Sequence, residues 1–514
     1  MTPVDDPANL AHLADELDRR LAAADADLAA QYPGDRGVRQ PVHTVYIPAD
    51  RFTAGTVREW ADQAKAALAQ GAAGESAGWA GQSAGGAGES AGGGGGTAGG
   101  AGESAGAAGE SAGGAGEGAG AAAGGGGESA GAAGETGGAP GLSGVLGLSA
   151  EVGAELDRRV VAKLEREPIE DLRIDFEDGY GTRPDDQEDA AAVDAARALA
   201  KTIGDGTATP YHGLRIKSLE APTRRRGLRT LDLFVSELVG ELSGARAGEL
   251  SGGRAGEPSG GRASELVGAL TDGFVITLPK VTSVEQVEAM LIVLSTIERA
   301  HNLPDGSLKF EIQVETPQAI LGSDGTALIA RMLKAGGRRV TGLHYGTYDY
   351  SGSLGVAAAY QSMDHPVADH AKDVMQLAAA GTGVFVSDGS TNVLPVGDRA
   401  AVHAAWKLHF DLVRRSLARG IYQGWDMHPA QLPTRYAATY LFYREGLETA
   451  GARLRAYVGG GDSGYLDEPA TAAALAGYVL RGLECGAVDA AEVDELIGVD
   501  TAGLAKLARR PVRS

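Results

Sequence analysis

Short runs of β-branched and aromatic residues alternate with longer helical patterns along most of the chain. Between successive runs lies at least one helical stretch, such as residues 284–300 or 399–419. Eight runs predict strands: Val42–Ile47, Leu172–Glu177, Leu214–Ser218, Gly273–Pro279, Phe310–Glu315, Val340–Tyr345, Gly383–Ser387 and Ile421–Met427. Eight strands that alternate with helices favour an α/β fold, and a (β/α)₈ TIM barrel rather than a doubly wound sheet.

Helical patterns flank the predicted barrel on both sides. Residues 7–31 carry Leu10, Leu13, Leu17 and Leu21 along one face, and the Ala- and Leu-rich residues after about 469 predict further helices. We therefore expect an N-terminal helical segment over residues 1–41, a barrel over 42–432 and a C-terminal helical extension over 433–514.

Two low-complexity segments interrupt this pattern. The first, about residues 71–146, is built of AGESAGG-like units, and the second, about 240–265, repeats an eight-residue unit that begins as GELSGARA. Neither segment can bury enough apolar surface to offset the entropy lost on ordering the chain. We expect both to be disordered loop insertions on the barrel surface.

The charge and cysteine content narrow the classes of protein that remain. A formal net charge of −22 repels phosphate backbones and argues against nucleic-acid binding. The single cysteine, Cys485, excludes an internal disulfide. The first residues lack the apolar run of a signal peptide, and no apolar stretch is long enough to span a membrane. We therefore expect a cytoplasmic protein.

Polar side chains collect at the C-terminal ends of the predicted strands, where TIM barrels place their catalytic groups. Glu315 and Asp349 follow the fifth and sixth strands. Mg²⁺ is commonly held by one or two carboxylates, which leaves positions for water and for substrate oxygens. These two residues therefore predict a metal-dependent enzyme that acts on a small carboxylate or keto acid.

Several motifs, taken in order, resemble those of the HpcH/HpaI aldolase and citrate lyase β-subunit superfamily. They are DFEDG, LRIKS, LPKVTSVEQVEAM, IQVETPQAIL, GTYDYSGSLG and GWDMHPAQL. The resemblance implies a TIM barrel with Mg²⁺ or Mn²⁺ that makes or breaks a carbon–carbon bond through an enolate. It implies a 2-keto acid or an acyl-CoA thioester as substrate, and a homo-oligomer.

The resemblance also implies roles for individual residues. Glu315 and Asp349 correspond to metal ligands, and Arg215 to the cation that stabilises the enolate oxygen. Glu177 and Asp178 correspond to acids that orient water, metal or the arginine.

For the catalytic base the resemblance suggests Asp426, with His428 as the other candidate. The residues predicted to contact substrate are Arg215, Gly346, Thr347, Lys280 and Gln313. We expect Lys280 to be an ion-pair partner in the barrel mouth, the alternative being a Schiff-base lysine.

The chain departs from the family pattern at Tyr350, which stands where a leucine usually follows the metal-binding aspartate. This departure bears on the substrate pocket more than on the metal. Two other readings of the function also stay open. One is a different metal–enolate barrel of the pyruvate or phosphoenolpyruvate type, for which GVFVSDGSTN offers a phosphate-binding turn. The other is a non-catalytic barrel that serves binding or assembly.

Overall fold

The structure, a computed structural model, describes residues 7–73, 142–244, 268, 273–461 and 464–509. Most of the two predicted insertions, residues 74–141 and 245–265, lies outside the described residues. At the edges of the first insertion the chain is helical, over Thr56–Ala73 and Leu142–Leu146.

Eight parallel strands form a closed barrel, which confirms the predicted TIM fold. They are β1 His43–Pro48, β2 Asp171–Asp175, β3 Tyr211–Arg215, β4 Phe274–Leu278, β5 Lys309–Val314, β6 Val340–Tyr345, β7 Phe385–Ser387 and β8 Gly424–Asp426. Successive strands pair in parallel from β1 to β7, and β1 also pairs with β8. A parallel bridge between Ser387 and Gln423 joins β7 to β8 and closes the cylinder.

The second strand ends two residues earlier than its sequence pattern predicts. The Asp175 carboxylate accepts the backbone N–H groups of Glu177 and Gly179, each at 2.9 Å. An aspartate that bonds to the backbone ahead of it favours a turn over a continued strand. Glu177 and Asp178 therefore extend from a loop rather than from β2.

Helices surround the barrel. They are α1 Pro7–Gln31, α2 Thr56–Ala73, α3 Leu142–Leu146, α4 Ala150–Arg166, α5 Asp185–Gly204, α6 Arg224–Ser243, α7 Val284–Ala300, α8 Pro317–Ile320, α9 Leu328–Gly336, α10 Thr347–Ser353, α11 Pro366–Ala379, α12 Arg399–Ala418, α13 Leu432–Gly459, α14 Pro469–Cys485, α15 Ala490–Ile497 and α16 Thr501–Leu507. Within the described ranges, no helix combines the length and apolar character needed to cross a membrane.

The α4 helix shows how the local sequence produces these elements. Ser149 caps its first turn by accepting the N–H of Val152 at 3.3 Å, which satisfies a donor that has no partner within the helix. Leu156, Val160 and Leu164 follow at intervals of one turn, and all three are buried. The helix therefore presents one apolar stripe to the core.

The interior of the barrel is charged rather than apolar. Arg173 on β2 donates to Glu311 on β5 at 2.9 Å, and these two strands are not neighbours in the sheet. The contact therefore crosses the interior of the barrel. His344 on β6 lies 3.0 Å from the same carboxylate, and Arg173 also pairs with Asp171. Since side chains alternate along a strand, Leu172 and Ile174 face the surrounding helices instead.

His212 on β3 is buried, and its Nδ1 lies 2.9 Å from the carbonyl oxygen of Thr209. Burial lowers the pKa of His212 to about 4. In the unfolded chain a histidine titrates near about 6.5, so the unfolded state binds a proton that the folded state excludes. Stability from this residue is therefore complete above the unfolded pKa and is lost as the pH falls below it.

We predict that lowering the pH from 7 to 5 costs the wild type about 2 kcal/mol more of its free energy of unfolding than it costs a His212→Leu variant. Urea unfolding at both pH values, followed by circular dichroism, measures the difference. His12→Leu, at an exposed position on α1, is the control and should keep the pH dependence of the wild type. Equal pH dependence in His212→Leu and wild type would contradict the prediction.

Candidate active site

Seven ionisable side chains and the amide of Gln313 converge at the C-terminal ends of β2 to β6. We call this set the barrel mouth; its members are Asp175, Glu177, Asp178, Arg215, Lys280, Gln313, Glu315 and Asp349. Parallel strands in a closed barrel all end at the same rim, so residues far apart in sequence meet there.

Arg215, the last residue of β3, is held rigidly. Its Nε and Nη2 each donate to one oxygen of Asp175 at 2.7 Å, a bidentate pair, and its Nη1 donates to Gln313 at 3.2 Å. The guanidinium carbon lies 4.7 Å from the ring centre of Tyr46 and 5.5 Å from that of Trp425. The arginine therefore presents a fixed positive charge at the rim.

Burial alone would lower the pKa of Arg215, but the carboxylates of Asp175 and Glu177 outweigh this and hold it above its ordinary value. Glu177 approaches the guanidinium to 3.3 Å. The charge on the arginine is thus permanent across the physiological pH range.

The ammonium group of Lys280 lies among the acids of the barrel mouth. Its Nζ is 2.5 Å from Glu177, 3.0 Å from Asp178 and 3.2 Å from Asp349. Its backbone N–H donates to Glu315 Oε1 at 2.7 Å. Lys280 has φ of +51°, in the left-handed region that side chains other than glycine rarely adopt. Lys280 is therefore an ion-pair partner in the barrel mouth, and three carboxylates take part.

Glu315 is buried immediately after β5, and Gln313 donates to its Oε2. Burial, together with the nearby carboxylates of Glu177 and Asp349, raises the pKa of Glu315 well above its ordinary value. Gly346 leaves room for this carboxylate, because a Cβ at that position would lie 2.5 Å from Glu315 Cβ. Gly346 therefore contributes by lacking a side chain, which leaves room for Glu315.

The neighbouring acids Glu177 and Asp178 have pKa values that shift in opposite directions. Burial, reinforced by Asp178, raises the pKa of Glu177 to about 7. Partial burial acts in the same direction on Asp178, but Arg215 and Lys280 outweigh it and lower the pKa of Asp178 to about 2. The barrel mouth thus contains five carboxylic acids and two basic residues, and burial makes two of the acids, Glu177 and Glu315, harder to ionise.

The donor chemistry of the barrel mouth suits a hard divalent cation. All its acidic groups are carboxylates, the ligands that Mg²⁺ and Mn²⁺ prefer, and Glu315 and Asp349 both contact Lys280, through its backbone N–H and its Nζ respectively. In the part of the chain that the structure describes, no group of three or more His, Cys, Asp or Glu side chains is already arranged around a metal position. The carboxylates are instead gathered around the lysine ammonium.

Thr347 and the two tyrosines near Asp349 pack away from these acids. Thr347 is buried and accepts the N–H of Ser390 at 3.2 Å, which ties the start of α10 to the loop after β7. The Tyr348 hydroxyl accepts the N–H of Asn392 in the same loop at 2.6 Å. Tyr350 is buried against Tyr345 in the core. The tyrosine that replaces the usual leucine thus fills the core and does not line the barrel mouth.

Asp426 lies outside the barrel mouth, which corrects its assignment as the catalytic base. Trp425 contacts Tyr46 and Arg215 in the barrel interior, so its neighbour on β8 faces the opposite side. The Asp426 side chain is buried and is held by His43 at 2.9 Å and by Arg435 at 2.7 Å. It joins β8 to the helical layer and does not face the interior.

His428, the other candidate for the base, follows β8. Its Nδ1 accepts the N–H of Ala430, and it caps the short helical turn that starts at Pro429. Burial lowers the pKa of His428 to about 4, which keeps the ring neutral. This position matches the structural turn that a His-Pro sequence favours.

The sequence reading missed two aromatic residues, Tyr46 and Trp425, that flank the guanidinium of Arg215. The signal was present in the GWDM segment. Once β8 is recognised as a strand, period-two alternation puts Trp425 and Asp426 on opposite faces. Only one of the pair can then face the interior.

Several solved structures resemble this chain, with low sequence identity and low TM-scores. A citrate lyase from Burkholderia xenovorans is 17% identical, with 66% of this chain and 91% of that chain covered and a TM-score of 0.45. A Haloferax volcanii malate synthase is 16% identical, with 56% and 70% covered and a TM-score of 0.39. CitE from Mycobacterium tuberculosis, in complex with magnesium, acetoacetate and coenzyme A, is 20% identical, with 64% and 95% covered and a TM-score of 0.37.

No curated protein matches the chain. One family model does, over residues 21–87, 111–248 and 263–512, and it is described as a domain of unknown function, DUF6986. The match includes the barrel strands and every residue of the barrel mouth. The chain therefore belongs to the DUF6986 family.

Proposed function

We propose that this chain is a divalent-metal-dependent carbon–carbon lyase or aldolase that works through an enolate at the barrel mouth. The observation that supports it best is the fixed guanidinium of Arg215 in a barrel mouth whose five carboxylic acids outnumber its two basic residues. Enolate chemistry needs permanent positive charge where a carbonyl oxygen becomes negative, and it needs that charge held in place before the reaction.

Glu315 and Asp349 are the residues that would hold Mg²⁺ or Mn²⁺, with Glu177 and Asp178 beside them. A bound divalent ion supplies Lewis-acid stabilisation of negative charge on a substrate oxygen. These four carboxylates would suit such an ion, because hard cations prefer carboxylate oxygens.

Arg215 would stabilise the enolate oxygen directly. In the cleavage direction the substrate hydroxyl group would lose its proton to a carboxylate of the barrel mouth and become the carbonyl group of one fragment. The electrons of the broken carbon–carbon bond would move to the carbonyl oxygen of the donor fragment. Asp175 occupies Nε and Nη2, so Nη1, which now bonds to Gln313, is the nitrogen that would donate to a substrate oxygen. Asp175 and Gln313 therefore orient the arginine rather than react.

The substrate class we propose is a 2-keto acid or an acyl-CoA thioester, both of which form an enolate next to a carbonyl group. Lys280 Nζ and the amide nitrogen of Gln313, which now donates to Glu315, would supply donors for a substrate carboxylate. Gly346 leaves the space that the Glu315 side chain occupies. A Schiff-base role for Lys280 is disfavoured, because its ammonium is held by three carboxylates that stabilise the protonated form.

Proton exchange tests the enolate directly. With Mg²⁺ or Mn²⁺ in D₂O, the wild type should remove the methyl signal of pyruvate or of acetyl-CoA from the proton NMR spectrum. We expect Arg215→Lys to slow this exchange on the order of 100-fold, because lysine cannot reproduce the bidentate clamp. Glu315→Ala should abolish the metal-dependent exchange, because it removes a proposed metal ligand.

Arg339→Lys is the matched control for the arginine. Arg339 is also largely buried and also pairs with a glutamate, Glu298, but it precedes β6 at the opposite end of the barrel. This variant should exchange at the wild-type rate. Wild-type exchange in Arg215→Lys would exclude the proposed role of Arg215. If the wild type bound metal but exchanged neither compound, a non-catalytic barrel would be favoured.

Metal binding without substrate provides a second test. Because Lys280 places a positive charge among the proposed ligands, we expect Lys280→Met to bind Mn²⁺ about tenfold more tightly than the wild type, a gain of about 1.4 kcal/mol. Titration of the purified protein with Mn²⁺, followed by electron paramagnetic resonance, measures the affinity.

Lys217→Met is the control for this experiment. Lys217 follows the adjacent strand, but its Nζ binds the carbonyl of Phe176 and the carboxylate of Glu188 and does not contact the proposed ligands. Its Mn²⁺ affinity should equal that of the wild type. Weaker binding in Lys280→Met would show that the lysine supports the metal site rather than competing for it.

A further inference from the structure

The N-terminal helix α1 has an apolar face that nothing among the described residues covers. Every residue from 11 to 30 is exposed, including Leu17 at 46%, Leu21 at 49% and Leu28 at 60%. Isolated helices in water are marginally stable, and in proteins most helical stability comes from packing an apolar face. We therefore expect this 25-residue helix to be stabilised by a partner that covers its exposed leucines.

The apolar positions of α1 repeat every seven residues. Ala14, Leu21 and Leu28 form one series, and Leu17 and Ala24 form a second series that lies three residues after the first. Alternating steps of three and four are the a and d positions of a coiled coil, whose average period is 3.5. We call these five positions the seam. A stripe this narrow is typical of a helix that packs along another helix rather than on a broad core surface.

The charges beside the seam favour a second copy of the same helix in parallel orientation. With Leu21 at position a, Arg20 is at position g and Asp25 at the following e position. In a parallel pair, g of one helix lies next to the following e of the other, so Arg20 would face Asp25 twice. In the antiparallel pair that aligns the leucines, Arg20 would instead face Arg20 and Asp18 would face Asp18.

The attachment of α1 to the barrel leaves this seam accessible. Just after the helix, Gly34 donates its N–H to the carbonyl of Gly381 at 2.8 Å, and Tyr32 lies against the same glycine. Gly381 precedes β7, so the contact lies at the N-terminal end of the barrel strands. A partner on α1 would thus bind at the end opposite to the barrel mouth.

We propose that α1 is an interface through which a second copy of this chain binds, as a parallel two-stranded coiled coil. Leucines 17, 21 and 28 pair with their counterparts, and the alanines at 14 and 24 allow close approach between them. This inference does not depend on the proposed reaction, because α1 and the barrel mouth share no residue.

Analytical ultracentrifugation of the full chain at about 100 µM tests the interface, a concentration that detects association in the micromolar range. The wild type should have at least twice the mass of the 52.2 kDa chain. The double variant Leu17→Glu, Leu21→Glu should have half the mass of the wild type, because four carboxylates would meet in the seam. Leu377→Glu, at a leucine that is 79% exposed on α11, is the control and should keep the wild-type mass.

Two outcomes would overturn the proposal: a monomeric wild type, or an oligomer whose mass is the same in the double variant. Both leucines are exposed, so their substitution should not unfold the protein, and circular dichroism checks that the fold is kept.

Cross-linking then tests the orientation of the two helices. A Leu28→Cys variant should form a disulfide-linked dimer on mild oxidation, since position a meets its own copy in a parallel pair. The only native cysteine, Cys485, is buried and should not cross-link. Absence of the cross-link would exclude the parallel arrangement.

Discussion

The ion pair between Arg215 and Asp175 is the interaction on which the barrel mouth depends. Both side chains are buried, and two hydrogen bonds join them. The same carboxylate accepts the backbone N–H groups that end β2, so one residue sets both the orientation of the arginine and the path of the acidic loop. Removing one partner of a buried pair commonly costs about 3–5 kcal/mol, because the other charge is left without compensation.

Side chains on β5 connect this pair to the charged interior of the barrel. Glu311, Gln313 and Glu315 lie two residues apart along β5 and its end, so all three project to the same side. Glu311 binds Arg173 and His344 inside the barrel, Gln313 binds Arg215, and Glu315 lies at the rim. A glycine on β6, Gly342, provides the space, since a Cβ there would lie 3.0 Å from Glu311 Oε1. Ion pairs thus continue from the centre of the barrel to its mouth.

The strand pattern was sufficient to predict the barrel, because parallel strands buried on both faces have a composition unlike that of the helices between them. It was also sufficient to predict that Arg215, Lys280 and Glu315 lie at one rim. Asp426 shows what the strand pattern could not predict, namely which face of β8 the residue occupies. A residue at the end of a strand can face either side, and the two side chains that hold Asp426 come from β1 (His43) and α13 (Arg435).

By itself, the sequence determined the order of strands and helices, the polar character of the strand ends and the seven-residue repeat of α1. These properties depend on the spacing of residues along the chain, which is local. Tertiary structure alone decided that Lys280 contacts Glu177, Asp178 and Asp349, and that Trp425 rather than Asp426 faces Arg215. Such contacts join residues from separate strands, and their distances depend on barrel closure and strand register, which no local pattern specifies.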